Sequence, residues 1–351
     1  MAGIELINPL QSRDNFAQIE DQTSELVWET NPSRGPSRVT IAIPTYKRFD
    51  TLIEAIKSAA AQSDGPPADI IVVDNEGHGT KPEAVREALR NITPIRIRYF
   101  VNSSNLGMFG NWNRCIELCE TEWLTILNDD DILRSAFLNK CFGVIDEVDE
   151  VDGIVCRKGT KDRRSDFLPI AEPPRRRIRA TIDGALRRFA FRNGAIKISP
   201  KHLFFGNCLG NGAGFLFRRS AAIQLGGYDA DESPSADFLF YIRMSIYGNL
   251  LLIDDELADV GIGDNESMNP DVLLKFISQL HEARLKMAGN VIPSGWEGMA
   301  PAIAAVHVLN TERLWGVNLD NSLVESELGI KLPPPNPRKI RFMQLRYGLV
   351  F

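Results

Sequence analysis

The arrangement of apolar runs between residues 38 and 148 constrains this chain more than any other feature. Four strand-like runs, Val39–Ile43, Ile70–Val73, Ile95–Phe100 and Trp123–Leu127, are each followed by a stretch of helical periodicity: Thr51–Ala61, Pro82–Arg90, Phe109–Cys119 and Ser135–Val148. A helix between two strands returns the chain to the same end of a sheet, so the pattern predicts an α/β fold whose mixed, mainly parallel sheet carries helices on both faces. Further on, Gly153–Arg157 and Gly212–Phe217 read as strands, Ser220–Leu225 and Ala236–Tyr247 as helices, and Leu250–Ile253 and Leu257–Val260 as two short strands. Beyond Asn269 the pattern is helical, with Leu273, Ile277, Leu280 and Met287 on one stripe and a second helix over Ala300–Trp315.

A chain of 351 residues, 44% apolar and 25% charged, can bury a full core without covalent staples. Its five cysteines, Cys115, Cys119, Cys141, Cys156 and Cys208, form no Cys-x-x-Cys pair and have only four histidines to share a metal with, which excludes the spacing of a zinc finger or iron–sulfur site. Cys115 and Cys119, four apart on a periodic stretch, read as one packed helix face, and unpaired thiols point to a cytoplasmic, reducing compartment. Residues 1–22 lack a signal-type apolar core and no run of 18 apolar residues occurs, so no membrane span is expected.

The net charge of −6 argues against nucleic acid as a partner, yet it hides an asymmetry. Arg157–Lys197 carries thirteen Lys/Arg against four carboxylates, a local +9 that leaves −15 on the remainder. Its prolines 169, 173 and 174 suggest a long loop, followed by a helix near Ile182–Phe191. At the end, Pro333-Pro334-Pro335-Asn336-Pro337 forms a stiff spacer before a basic, aromatic segment from Arg338 to Tyr347. Both basic segments could face phosphate, on a lipid-linked acceptor or an anionic membrane surface, or be solvated faces without a ligand.

Parallel sheets bind ligands beyond the carboxyl ends of their strands, so the residues there carry the functional reading. Asn128-Asp129-Asp130-Asp131 places three like charges side by side, which requires solvent, donors or a cation to compensate them. Divalent cations such as Mg²⁺ are held by one or two carboxylates plus phosphate oxygens, so the run suggests a metal–diphosphate site; a solvated turn capping the next helix is the alternative. Pro44-Thr45-Tyr46-Lys47-Arg48 and Asp74-Asn75 supply a hydroxyl, an aromatic face and a carboxylate where a nucleoside could stack and hydrogen-bond. Asn105-Leu106-Gly107 with Asn111 and Asn113 offers amide donors near a helix start, or caps it. Gly210-Asn211-Gly212-Ala213-Gly214 precedes a strand instead of following one, so close packing beside an acceptor site fits better than a dinucleotide loop. His202 and His307 are isolated and read as structural.

As a set, Ile43–Arg48, Val72–Asn75, Asn105-x-Gly107 with Asn113, Asp129–Asp131, and Gly226-Gly227-Tyr228-Asp229 with Ala236-Asp237 and Arg243 resemble a family 2 glycosyltransferase of the GT-A fold, over roughly residues 38–260. The domains then run as a lead-in over 1–36, a GT-A domain over 37–265 and a C-terminal helical extension with a basic tail over 266–351. Within the GT-A domain, 37–133 would be the nucleotide-binding half and 134–265, with the basic loop 157–197, the acceptor half.

The resemblance implies that Pro44, Thr45, Tyr46, Arg48, Asp74, Asn105, Gly107, Asn113 and Asp129 line a nucleotide-sugar donor. By the same resemblance Asp130 and Asp131 hold Mn²⁺ or Mg²⁺, Asp237 takes the proton of the acceptor hydroxyl, and Gly212, Gly214 and Asp229 border a glycan or lipid-linked acceptor. The implied reaction is a single displacement with inversion, in bacterial-type surface polysaccharide or glycolipid synthesis; the basic segments, if they face a membrane, would add peripheral contact at its inner face. Two departures stand out. Ala236 replaces the Glu that usually precedes the base, and Val260–Ser267 contains no His where members often carry one, so that Asp264 or water would have to substitute. Those departures suggest a non-catalytic nucleotide- or glycan-binding protein as a second reading. Asp129-x-Asp131-x-Leu133 after a strand suggests a third, an aspartyl-phosphate hydrolase.

Overall fold

The apolar runs form the strands expected of them, and the sheet gains members that the pattern does not show. A computed structural model describes residues 13–30, 36–77, 79–90, 92, 95–163, 190–191, 194–263 and 269–349. Its first half runs β1 (Ser24–Glu29), β2 (Val39–Thr45), α1 (Asp50–Ala60), β3 (Ala68–Asp74), α2 (Lys81–Ala88), β4 (Arg96–Asn102), α3 (Gly107–Leu118), β5 (Trp123–Ile126), β6 (Ile132–Leu133) and α4 (Phe137–Ile145). The second continues with β7 (Gly153–Asp162), β8 (Ala195–Ile198), α5 (Pro200–Phe204), β9 (Phe215–Arg218), α6 (Arg219–Gln224), α7 (Ala236–Tyr247) and β10 (Leu250–Ile262). Four helices close the chain: α8 (Pro270–Met287), α9 (Ala300–Trp315), α10 (Asn321–Leu328) and α11 (Pro337–Arg346).

All ten strands join one sheet in the order β1-β4-β3-β2-β5-β9-β7-β10-β6, with β8 pairing β10. β4, β3, β2 and β5 are mutually parallel, β9 runs against β5 and β7, and β10 is parallel to β7. Six strands thus end on one edge, and the loop that enters β9 starts from that same edge. Alternate residues feed opposite layers: Ile70 and Val72 of β3 pack with α1, α2 and α4, while Ile71 and Val73 pack with α3, α5 and α7. Leu280, Met287, Ile303 and Ile340 of the C-terminal helices belong to that second cluster, so the extension shares the core of the sheet.

Three expectations are revised. The segment read as a lead-in supplies edge strand β1, antiparallel to β4. Trp28 is buried, stacks on Tyr99 at 5.2 Å and donates its indole N–H to Pro82 O at 2.9 Å. An aromatic pair of this kind is worth about 0.5–1.5 kcal/mol beyond its buried area. Leu250–Ile253 and Leu257–Val260 are one strand, interrupted only by register shifts at Glu256, where Asp254 turns out to meet Arg157 at 2.6 Å. The basic tail folds as α11, with Ile340 buried. Much of the basic segment 157–197, including residues 182–189 of the helix read near Ile182–Phe191, lies outside the described residues, as does Asp264.

Candidate active site

The carboxyl ends of the parallel strands bring the polar clusters together. Leaving β5 at Ile126, the chain crosses this edge and reappears as β6, which pairs with β10 through Leu133↔Ala258 and Ile132↔Asp259. Residues 127–131 are therefore pinned at both ends. Gly261 of β10 passes so close that a Cβ there would overlap the carbonyl oxygen of Asp130. Its N–H donates to Asp131 Oδ1 at 2.9 Å.

The three carboxylates consequently have different surroundings. Asp129 accepts from Thr45 Oγ1 at 2.7 Å, from Arg48 Nη1 at 2.9 Å and from the Tyr46 N–H at 3.4 Å, which ties the end of β2 to the end of β5. Burial raises its pKa, and the Thr45 and Arg48 contacts oppose the rise. Asp130 pairs through Oδ2 with the same Arg48 nitrogen at 2.5 Å, keeps about a fifth of its side chain exposed, and has no partner for its other oxygen among the described residues. Asp131 is 1% exposed, with Asn128 Nδ2 donating to its second oxygen at 3.0 Å. Burial first, and Asp130 second, push its carboxyl up to about 7.

Asp131, expected as a metal ligand, is thus a latch on β10, since both its oxygens are engaged and neither is open to the cleft. Among the described residues no group of three or more His, Cys, Asp or Glu side chains is placed to hold a metal ion. What remains fits a divalent cation held by Asp130, with Asp129 beside it, and completed by phosphate oxygens.

At the end of β2, Tyr46 exposes 43% of its surface beside Thr45, with Lys47 Nζ 5.0 Å from its ring centroid. Pro44 lies within β2 against Val73 of β3, and contributes only backbone to the rim. Asp74 is fully buried: Oδ2 accepts from Tyr99 OH at 2.6 Å, and Oδ1 from Lys81 Nζ at 3.2 Å and the Glu76 N–H at 3.1 Å. Lys81, at the first position of α2, also reaches Thr45 Oγ1 at 3.3 Å. It is a rim cation that the sequence reading missed, and Asp74 holds it.

Asn105 and Gly107 belong to an amide lattice. Asn75 Nδ2 donates to Asn105 Oδ1 at 2.7 Å and to Gly107 O at 3.2 Å, and Asn102 Nδ2 donates to Asn75 Oδ1 and Asn111 Oδ1. Asn113 is a correction. Its Nδ2 donates to Tyr228 O and its Oδ1 accepts the Tyr228 N–H, both at 2.8 Å, so this buried amide fastens α3 to the Gly226–Asp229 turn and is unavailable to a nucleotide.

Asp237 stands in the first turn of α7. Its carboxyl is pushed up to about 6 by burial, against the Phe238 N–H and Lys158, which lower it. Lys158, in β7, is the second residue the sequence reading missed. Its Nζ donates to Leu209 O and, at 2.5 Å, to Asn211 O, and it lies 5.9 Å from the Tyr241 ring. It interacts with both Asp131 and Asp237, and burial pulls its pKa down to about 8. Asp131 of the carboxylate turn and Asp237 thus both act electrostatically on one lysine.

Tyr241 OH also donates to Asn211 O, at 2.8 Å, fixing the loop before β9 against α7. Gly214, with φ +65°, abuts Cys156 and Ala258, and Gly212 abuts Trp112; both shape that loop by close packing. Asp229 caps the one-turn helix that follows it and pairs with Arg13 at 3.3 Å, so its carboxylate is engaged away from the cleft. Where the basic segment begins, Arg163 pairs with Glu54 at 2.8 Å and donates to Asp130 O at 3.4 Å, placing a third unforeseen cation over the carboxylate turn. His202 completes a capping box with Ser199 and His307 packs on Phe276, the structural roles expected of them.

Comparison with known proteins gives the family and the fold. The profile of Glycosyl transferase family 2 matches residues 40–225. The succinoglycan biosynthesis protein ExoO of Rhizobium meliloti is 27% identical over 230 residues, 62% of this chain and 64% of that protein, so the match spans a little under two thirds of the relative. The abequosyltransferase RfbV of Salmonella typhimurium is 25% identical over 257 residues, 69% of this chain and 73% of that protein. Among solved structures, S. aureus TarS 1–349 in complex with UDP-GlcNAc superimposes with a TM-score of 0.53 at 16% identity, covering 83% of this chain and 80% of that one, which shows a shared fold. The fold is of the GT-A type, and because the family profile takes in more than half of the sequence and every strand end from β2 to β9, the chain belongs to glycosyl transferase family 2.

Proposed function

We propose that this chain is an inverting glycosyltransferase that moves a sugar from a nucleoside-diphosphate donor to a hydroxyl of a glycan or lipid-linked acceptor, in the synthesis of a surface polysaccharide or glycolipid. The observation that carries the reading is that the turn bearing the Asp129–Asp130–Arg48 cluster also contributes Asp131, which together with Asp237 interacts electrostatically with Lys158. The cluster suits a diphosphate and Asp237 a reacting hydroxyl. Relatives named for succinoglycan biosynthesis and abequosyl transfer support the substrate class.

In this mechanism Tyr46 stacks on the nucleobase, and Thr45, through Asp129, holds the β2 rim in place. The Asp237 carboxylate accepts the proton of the acceptor hydroxyl as its oxygen bonds to the anomeric carbon and the bond to the diphosphate oxygen breaks. Arg48 and Arg163 stabilise the charge that collects on the departing diphosphate. A divalent cation held by Asp130 would add Lewis-acid stabilisation of that same leaving group. The hydrolase reading is disfavoured because both oxygens of Asp129, its presumptive nucleophile, are engaged by Thr45 and Arg48.

The test is a thermal-shift screen of nucleotide sugars with and without Mn²⁺, followed by turnover with the donor that binds. A donor at one hundred times its Kd stabilises the protein by about 2.7 kcal/mol. Stabilisation with sugar transfer supports the proposal. Stabilisation without transfer across a broad acceptor panel would instead favour the non-catalytic reading, and phosphate trapped on Asp129 the hydrolase.

A further inference from the structure

The basic, aromatic segment at the end of the chain takes no part in the cleft, and α11 gives it two unlike faces. Ile340 and Leu349 are buried in the sheet's second apolar cluster and Met343 packs against it, while the Tyr347 ring lies 4.3 Å from Trp296. This side fixes the helix to the body. On the open side Phe342 is 66% exposed and Leu345 39%. Arg338, Lys339 and Arg346 are exposed as well.

Positions 338, 342, 345 and 346 are spaced by four, seven and eight, so the cations and the apolar side chains share one face of the helix. Residues 331–351 contain five Lys/Arg and no carboxylate, in a chain whose remainder is −11. Among the described residues, Arg338, Lys339 and Arg346 meet no carboxylate. A rigid face that mixes uncompensated cations with an exposed aromatic ring suits a partner that is anionic at its surface and apolar beneath. An anionic lipid bilayer has that layering, with headgroups to meet the guanidinium and ammonium groups and an acyl boundary to take Phe342 and Leu345.

We propose that α11 is an interfacial anchor that seats the protein on anionic membranes through Arg338, Lys339, Phe342, Leu345 and Arg346. The inference goes beyond the glycosyl-transfer reading and does not depend on it. With few cations and two apolar side chains, attachment is reversible and sensitive to salt.

The full chain is to be co-sedimented with phosphatidylcholine vesicles that contain, or lack, about one third phosphatidylglycerol, a fraction sufficient for a substantial negative surface potential. Binding is expected to the anionic vesicles alone, with release as salt is raised to about 0.5 M. The triple variant Arg338→Glu, Lys339→Glu, Arg346→Glu should abolish it, and Phe342→Ser with Leu345→Ser should weaken it roughly tenfold. These positions are exposed, so thermal unfolding and donor turnover with a soluble acceptor should be unchanged. The proposal is overturned if the wild-type chain ignores anionic vesicles at low salt, binds neutral ones equally, or is matched by the variants. Concentration-dependent dimerisation that the variants remove, without vesicle binding, would also overturn it by assigning the face to a second copy.

Discussion

The two sides of the cleft treat their carboxylates in opposite ways. On the proposed donor side three acids are met by a cation or a hydroxyl, Asp74 by Lys81 and Tyr99, Asp129 by Thr45 and Arg48, Asp130 by Arg48, while Asp131 is closed on Asn128 and the Gly261 N–H. On the proposed acceptor side Asp237 accepts the Phe238 N–H and interacts with Lys158, but that lysine donates its hydrogen bonds to the carbonyls of Leu209 and Asn211, so burial prevails and the carboxyl rises to about 6. Acids with fixed partners are struts that position a ligand; an acid left without one near neutral pH is suited to accept a proton. The contrast separates residues of identical chemistry by their surroundings.

The largest effect should follow from Asp237→Asn, which keeps the shape and removes the base. Turnover should fall by about 10²–10⁴, with donor affinity unchanged by calorimetry. For the wild type, kcat/KM should drop about tenfold per pH unit below about 6, because the base works only when deprotonated. A flat acid limb would end the division between struts and base.

Arg48→Ala is next. It leaves Asp129 and Asp130 facing one another without their shared guanidinium. Lost charge-assisted hydrogen bonds of about 1.5–3 kcal/mol each translate into a weakening of donor binding by about 10–100-fold. An unchanged Kd for the nucleotide would show that the donor side is organised by something else.

How much of this contrast was legible in the sequence differs by residue. Strands β2 to β5 announce themselves because buried parallel strands must be apolar on both faces, and their ends then locate Thr45, Asp74 and Asp129. Strand β1 does not, because an edge strand needs only Trp28 inside and its sequence Ser-Glu-Leu-Val-Trp-Glu otherwise reads as polar. The orientation of Asp131 is set by Gly261, 130 positions away, and no local pattern reports it. Lys158 did leave a trace. It continues the period-two face of Ile154 and Cys156, a buried register, but was counted there as one more charge in a basic segment. Asn113 matched a motif position whose amide the fold uses for packing.

Lys158→Met sharpens the comparison from the acceptor side. Lys158 lowers the Asp237 pKa, so its removal should move the acid limb of kcat/KM to higher pH. Below the limb the deprotonated fraction sets the activity, so the rate there should fall as the limb moves up. The loop at Leu209–Asn211 also loses its anchor, so KM for the acceptor should rise while donor affinity holds. Unshifted acid-limb behaviour would remove Lys158 from the site and leave it a loop anchor alone.

The smallest effect concerns stability, and its sign is diagnostic. A carboxyl whose folded pKa lies above its unfolded value binds more protons when folded, so its contribution to stability falls as pH rises from about 4 to about 6 and stays lost above that. Asp237→Asn removes the penalty while its amide oxygen can still accept the Phe238 N–H that Asp237 Oδ1 accepts at 2.7 Å. The variant should therefore be more stable than the wild type at pH 7, by about 1–2 kcal/mol once residual solvent access is allowed for, and the advantage should vanish near pH 4. Asp129→Asn should gain less than Asp237→Asn or lose stability, because burial raises this carboxyl too and gives the linkage the same sign, while an amide placed against Arg48 offers one acceptor where the carboxylate offered two. Denaturant melts of both variants across that pH range decide it. A gain for Asp237→Asn that Asp129→Asn does not match would show that the acid without a paired cation or hydroxyl is kept at a cost to stability for chemistry.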